Sequence, residues 1–181
     1  HLLDEKDGSY NRSYLERYFP QGGIRLVECV GRAQGLMVAK GNPKGLRGVE
    51  DLGRPGVRYV NRQTGSGTRV LLDYLCKNAG GDTGAVSGYQ REEPTHTAVA
   101  AQIAAGSGDA GLGILSAARL YDLDFLPVCQ EQYDLLIPDS AWDTPMVKML
   151  LEVMGSEAFA RRLQRLGGYT LEKPGQVRLR L

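Results

Sequence analysis

The sequence is short of the residues that metal and redox chemistry need. Its 181 residues include three cysteines, Cys29, Cys76 and Cys129, and two histidines, His1 and His96. No Cys-x-x-Cys pair occurs, and an odd cysteine count does not complete a disulfide framework. Each cysteine lies in an apolar run, where a thiol acts as a small buried hydrophobe. A zinc site is not expected, and neither is a cofactor.

Charge of one sign is also lacking. Twenty-two basic residues face 21 acidic ones, for a net charge of +1. No global field therefore draws in nucleic acid or an anionic membrane surface, and any anion recognition must be local. No apolar run approaches the roughly 20 residues a membrane helix needs, and no signal peptide opens the chain. The first residue is His1 rather than Met, so the sequence reads as a fragment of a longer chain or a processed product. A cytoplasmic location is expected, with a periplasmic one after trimming as the alternative. There is no internal repeat.

What the sequence has is glycine, 24 residues of it, separating short apolar runs. Residues 24–30, 36–39, 57–61, 111–115, 125–128 and 133–137 read as strands. Several are apolar without alternation, as strands covered on both faces are. Helices are expected over 68–78, 97–105 and 116–121, and from Pro145, with Ser156 capping a last one that ends at Gly167-Gly168. Residues 172–181 read as a loose tail and 42–45 as a linker. Strands alternating with helices predict an α/β fold with a largely parallel sheet.

The richest local signal is Asn61-Arg62-Gln63-Thr64-Gly65-Ser66-Gly67-Thr68-Arg69, where a strand runs into a glycine-flanked serine and a helix follows. A helix start exposes unpaired N–H groups and the positive end of the macrodipole. Gly65 and Gly67 let a ligand approach the backbone. Ser66 and Thr68 add hydroxyls, and Arg62 and Arg69 add guanidinium groups suited to an oxyanion. Together they favour an anion. Three sharper motifs fail: Val70 replaces the third glycine of the dinucleotide fingerprint, the P-loop lysine is absent, and Thr64 replaces the first glycine of the nucleophile elbow. The plain alternative is a capped turn that binds nothing. A second constellation, Arg91-Glu92-Glu93-Pro94-Thr95-His96-Thr97, precedes an alanine-rich helix. Thr95 or Thr97 can cap it, and His96 either donates to a ligand or packs.

Three segments together resemble a known family: residues 61–69, Thr95-His-Thr-Ala-Val-Ala100 and Gly108-Asp-Ala-Gly-Leu-Gly-Ile114. Residues 1–4, Gly41-Asn-Pro43 and Tyr133-Asp-Leu135 agree in order and spacing. The chain resembles the PBP-like domain, a branch of the type 2 periplasmic-binding-protein superfamily similar to molybdate- and tungstate-binding proteins. Such domains are found fused to helix-turn-helix regulators and molybdopterin-biosynthesis proteins. The family's Arg-Glu-Gln-Gly-Leu stretch reads Arg32-Ala33-Gln34-Gly35-Leu36 here.

The resemblance implies a two-lobed periplasmic-binding-protein-like fold, with the ligand between residues 1–39 plus 126–181 and residues 40–125. The first lobe is expected to be incomplete, because the family domain starts well before His1, and an exposed apolar face is expected to drive self-association. Arg62, Gly65, Ser66, Gly67, Thr68 and Arg69 are the implied ligand-binding group, with Thr95 and His96 at a second helix start and Asp109 near the hinge.

The function that follows is a non-catalytic binding or sensor domain for a small oxyanion, with molybdate or tungstate first and a molybdopterin-related phosphate second. Closure of the lobes would be read by an attached domain outside this chain. Two alternatives stand beside it: a hydrolase using Ser66 with His96 and Asp109, and a ligand-free interaction domain.

Overall fold

Two strands of 15 residues each organise the backbone, β1 (Ile24–Val38) and β5 (Asp124–Pro138). They are seen in a computed structural model that describes residues 1–4 and 6–181. The chain divides into two units, residues 1–32 with 130–181 and residues 33–129. Both long strands carry the chain from one unit into the other.

The second unit holds the parallel features. Strand β2 (Asn61–Arg62) leads into helix α2 (Gly67–Asn78), and β3 (Glu92–Glu93) leads into α3 (His96–Ala104). β2 and β3 pair in parallel, Asn61 opposite Glu92 and Arg62 opposite Glu93. Tyr59 and Ala110 form a further parallel bridge. Strand β4 (Ala110–Ile114) then pairs antiparallel with the second half of β1, Gln34 opposite Ile114 through Val38 opposite Ala110. Helix α4 (Leu115–Leu120) follows at once.

These strands are apolar on both faces because both faces are covered. Leu36, Val38, Tyr59 and Leu112 pack with Leu72 and Cys76 of α2. Met37 and Val60, between them in sequence, pack the other way against Val99, Ala100 and Ile103 of α3 and Ala117 and Ala118 of α4. Leu72 is fully buried, and truncating such a leucine to alanine costs about 2–5 kcal/mol.

In the first unit, α1 (Arg12–Tyr18), α5 (Pro145–Met154) and α6 (Glu157–Leu166) accompany β6 (Tyr169–Thr170) and β7 (Val177–Arg180). β6 and β7 both pair antiparallel with β1. Val27, Ile137, Val147 and Met154 form a small core with Trp142 against it. The Arg25 guanidinium lies 4.2 Å from the Trp142 ring centroid, a cation–π distance. Pro145 opens α5 behind the Thr144 cap, and Ser156 caps α6. The outward side of α5 exposes Met146, Met149, Leu150 and Val153.

Three expectations are corrected here. The main sheet is antiparallel, and only the short β2–β3 pair and the Tyr59–Ala110 bridge are parallel. Local β-α-β alternation fixes direction only for strands joined by a helix, and β1 is not so joined to its partners. Residues 24–30 and 36–39 are one strand, and so are 125–128 and 133–137. The glycines in the first gap are not turns: a side chain on Gly31 would collide with Thr170, and one on Gly35 with the Leu126 carbonyl. They allow close approach within a continuous strand. Finally, residues 172–181 are not loose. The alternation Val177-Arg178-Leu179-Arg180 makes β7, and Leu179 packs against the cluster of Leu15, Ile24 and Leu26. The cysteines are also less uniform than expected, since Cys76 is buried but Cys29 and Cys129 are half-buried.

No helix among the described residues is long and apolar enough to cross a membrane.

Candidate functional site

Parallel pairing decides where the two signalled segments meet. Because β2 and β3 run the same way in register, α2 and α3 leave the same edge of the ladder. Four residues, 63–66, separate β2 from α2, and two, Pro94 and Thr95, separate β3 from α3. Two helix N-termini are therefore presented at the carboxyl ends of neighbouring parallel strands, one helix on each face, the position at which α/β folds gather ligands. Each contributes dipole and N–H groups with no intrahelical acceptor.

The turn before α2 is built from short-range bonds. Ser66 N–H donates to the Gln63 carbonyl at 3.1 Å. Gly65 adopts φ +84°, a left-handed conformation that favours glycine. Ser66 is the N-cap, and its Oγ accepts from the Arg69 N–H at 3.2 Å. Accepting that bond leaves the Ser66 hydroxyl proton available for donation. Thr68 is buried, and its Oγ1 accepts from the Gln34 side-chain amide at 3.1 Å, so its proton is likewise left over.

The two arginines are arranged differently. Arg62 reaches across to α3's approach, donating to the Pro94 carbonyl at 3.0 Å and to Gln63 Oε1 at 3.2 Å. Arg69 is buried. Its guanidinium pairs with Glu92 and lies 4.5 Å from the Tyr89 ring centroid. The Tyr89 hydroxyl donates to Asp73 at 2.7 Å. Burial opposes the Arg69 charge, but Tyr89 and Glu92 outweigh it and hold the group above its ordinary pKa. Glu92 is held below the usual carboxylate range by the Thr64 hydroxyl first, then by the Thr64 N–H and Arg69.

At the second helix start, Thr95 is the N-cap and accepts from the Ala98 N–H at 3.0 Å. Its hydroxyl also bonds that of Thr97 at 3.0 Å. His96 is the first residue of α3, and its Nδ1 lies within van der Waals reach of Gly113, whose missing side chain leaves room for Met37. Asp109 serves another purpose. Its carboxylate accepts from Arg58 at the backbone N–H (2.8 Å), Nε (3.1 Å) and Nη2 (2.9 Å). Both of its oxygens are thus occupied by Arg58. Two participants, Gln34 and Glu92, stand in segments that the sequence singles out, 32–36 and 91–97, but without a role there. Gln34 is a fully buried amide in an apolar strand, and Glu92 is 28 residues from Thr64.

Among the described residues, no group of three or more His, Cys, Asp or Glu is placed to hold a metal ion. A concavity of about 330 Å³ exists within the first unit, lined by Ala160, Leu163, Tyr169 and Leu171 among others, and it lacks this array of donors.

The profile of the PBP superfamily domain matches residues 1–155. YvgK of Bacillus subtilis (strain 168) is 37% identical over 177 residues, covering 98% of this chain and 57% of YvgK. The chain thus spans little more than half the length of that relative. A Clostridium difficile domain described as the substrate-binding part of a molybdenum ABC transporter superposes with a TM-score of 0.57 at 14% identity, over 91% of this chain and 76% of that one. The sulfate-binding protein SubI of Mycobacterium tuberculosis H37Rv gives 0.58 at 16% identity, over 81% of this chain and 58% of that one. At such identities these likenesses concern the fold alone. The family profile covers most of the sequence, and with it the resemblance read from residues 61–69, 95–100 and 108–114 holds: this chain is a member of the PBP superfamily, with an α/β periplasmic-binding-protein-like fold.

Proposed function

We propose that the second unit binds a small oxyanion at the adjoining starts of α2 and α3, as a non-catalytic binding or sensing module. The observation that carries this reading is the parallel register of β2 and β3, which brings the Ser66 and Thr95 caps to one edge. Backbone N–H groups of residues 67 and 68 and the hydroxyls of Ser66 and Thr68 would be the donors at α2. Thr95, His96 and Thr97 would serve at α3, and Arg62 would lie over both. Arg69 would act through Glu92 and Tyr89 rather than by contact. Helix N-termini and hydroxyls of this kind suit tetrahedral anions.

Molybdate or tungstate is the first choice of ligand and a molybdopterin-related phosphate the second. Fold likeness to a sulfate binder and to a domain described as part of a molybdenum transporter supports the class without deciding the member. An attached helix-turn-helix or molybdopterin-biosynthesis domain as the reader of binding rests on the resemblance alone. The occupied carboxylate of Asp109 disfavours a hydrolase built on Ser66 and His96, because it is committed to Arg58.

A thermal-shift screen with molybdate, tungstate, sulfate, phosphate and small carboxylates tests the reading. A ligand present at 100 times its Kd stabilises the native state by about 2.7 kcal/mol. At least one oxyanion should raise the melting temperature in a saturable way. A chain whose melting point responds to none of them, or to carboxylates alone, does not have this site.

A further inference from the structure

The turn that precedes α2 is bonded within itself but has no packing at its glycine. Gly65 has open space around it, with no atom within 4 Å of where a Cβ would stand. A glycine in such surroundings loses more conformational freedom on ordering than any other residue. Thr68 is held by burial and by Gln34, but Thr64 and Gly65 are exposed, so something other than packing must fix the approach to Ser66.

One carboxylate grips both ends of this turn. Glu92 Oε1 accepts from the Thr64 hydroxyl at 2.8 Å, and Oε2 accepts from the Thr64 N–H at 3.3 Å. The same Oε1 pairs with the guanidinium of Arg69. Thr64 immediately precedes Gly65, and Arg69 is the residue whose N–H bonds the Ser66 cap. Glu92 is itself fixed by the ladder, opposite Asn61. Ladder bonds on either side support it: Asn61 N–H to the Arg91 carbonyl at 2.8 Å and Gln63 N–H to the Glu93 carbonyl at 3.1 Å. The far side of Arg69 is closed by Tyr89.

We propose that Glu92 is a positioning residue for the anion turn: it acts through Thr64 and Arg69 to hold Ser66 and Thr68 in binding geometry, and it keeps the Arg69 charge out of the site. The proposal rests on the reading of the α2 start as an anion site and adds a residue that touches no ligand.

Two physical effects of removing this carboxylate have opposite signs, which makes the test decisive. Glu92→Gln deletes a negative charge near a bound anion, so relief of Coulomb repulsion alone would tighten binding. Loss of the clasp frees the turn and weakens binding. Sodium molybdate and sodium sulfate are titrated into the full chain and its variants by calorimetry. Backbone amide spectra of the ligand-free proteins are recorded alongside.

For the anion that the wild type binds, Glu92→Gln should lower affinity about tenfold, with shifted or broadened Gly65 and Gly67 amide signals and an intact remainder of the spectrum. Thr64→Val, which keeps the carboxylate and its ion pair, should weaken binding severalfold and add nothing further in the double variant. It decides the matter if Glu92→Gln does not fold. Unchanged or tighter binding by Glu92→Gln, or by Thr64→Val where that decides, overturns the positioning role while the site stands. A wild type that binds neither anion, nor tungstate or phosphate titrated in their place, overturns the site and the role together.

Discussion

The side-chain amide of Gln34 donates to the Thr68 hydroxyl at 3.1 Å, joining β1 to the first turn of α2 with both residues buried. Leaving one buried partner unsatisfied costs about 1–3 kcal/mol. Gln34→Leu should destabilise the chain by that amount. Since each kcal/mol lowers the melting temperature by about 2–4 °C at this size, thermal melts can read it. Oxyanion affinity should fall as well, because the Thr68 rotor loses its fixed orientation. A variant with unaltered melting and binding would show the contact to be idle.

Ser66 caps α2, and the proposed site gives it a second, separable task, donating to an anion. Ser66→Ala should cost about 0.5–2 kcal/mol of stability as a lost cap, whereas Ser66→Gly should cost only a few tenths. Both delete the same hydroxyl. A hydrogen bond to a charged group is worth roughly 1.5–3 kcal/mol, so both should bind the oxyanion about tenfold or more weakly. Affinity that tracks stability instead, with Ser66→Gly binding like wild type, would reduce Ser66 to a cap.

Acid should destabilise the chain through its paired carboxylates. Bonds from the Arg58 side chain hold Asp109 below its ordinary value of 3.8. Arg25 and then Arg180 do the same for Asp139. A carboxyl with a depressed folded-state pKa binds protons more readily when unfolded. Its stabilisation is therefore complete above the unfolded pKa and is lost as pH falls through the folded one. Melting temperatures should be flat from about pH 7 to 5 with respect to these groups and fall below about pH 4. Asp109→Asn should lower the neutral-pH melting point and flatten the acid limb. An acid limb as steep as wild type would assign the acid response to other groups.

Gly111 of β4 lies against Val99 of α3. A side chain there would strike Val99 and come within 2.7 Å of the Val60 carbonyl. Gly111→Ala should cost about 1–3 kcal/mol, the usual range for overpacking. Denaturant unfolding would reveal it, and a neutral result would mean that α3 can shift away from the strand.

The sequence discloses local features well and pairings poorly. Ser156 is legible as a cap, and the caps of α2 and α3 are legible to within two residues, Ser66 or Thr68 and Thr95 or Thr97, because capping is a matter of three or four adjacent residues; the three helices begin within a residue of expectation. The direction of β1 relative to its neighbours is not legible, since nothing local records which strand lies alongside. The polar stretch from Gly31 to Gly35 looks like an interruption because its glycines answer to partners at residues 170 and 126. The same reasoning separates Ser66, found from its motif, from Glu92 and Gln34, whose importance depends on contacts 28 and 34 residues away.

Trp142 is the sole tryptophan of the sequence, and it sits in the first unit beneath Arg25. The caps of α2 and α3 belong to the second unit, whose ring chromophores include Tyr59 and Tyr89. Indole emission is thus an optical channel reserved for one half of the chain. Following it beside far-ultraviolet dichroism would separate the melting of the two units without any label. A change in that emission on adding an oxyanion would be a signal that has travelled beyond the unit proposed to bind it.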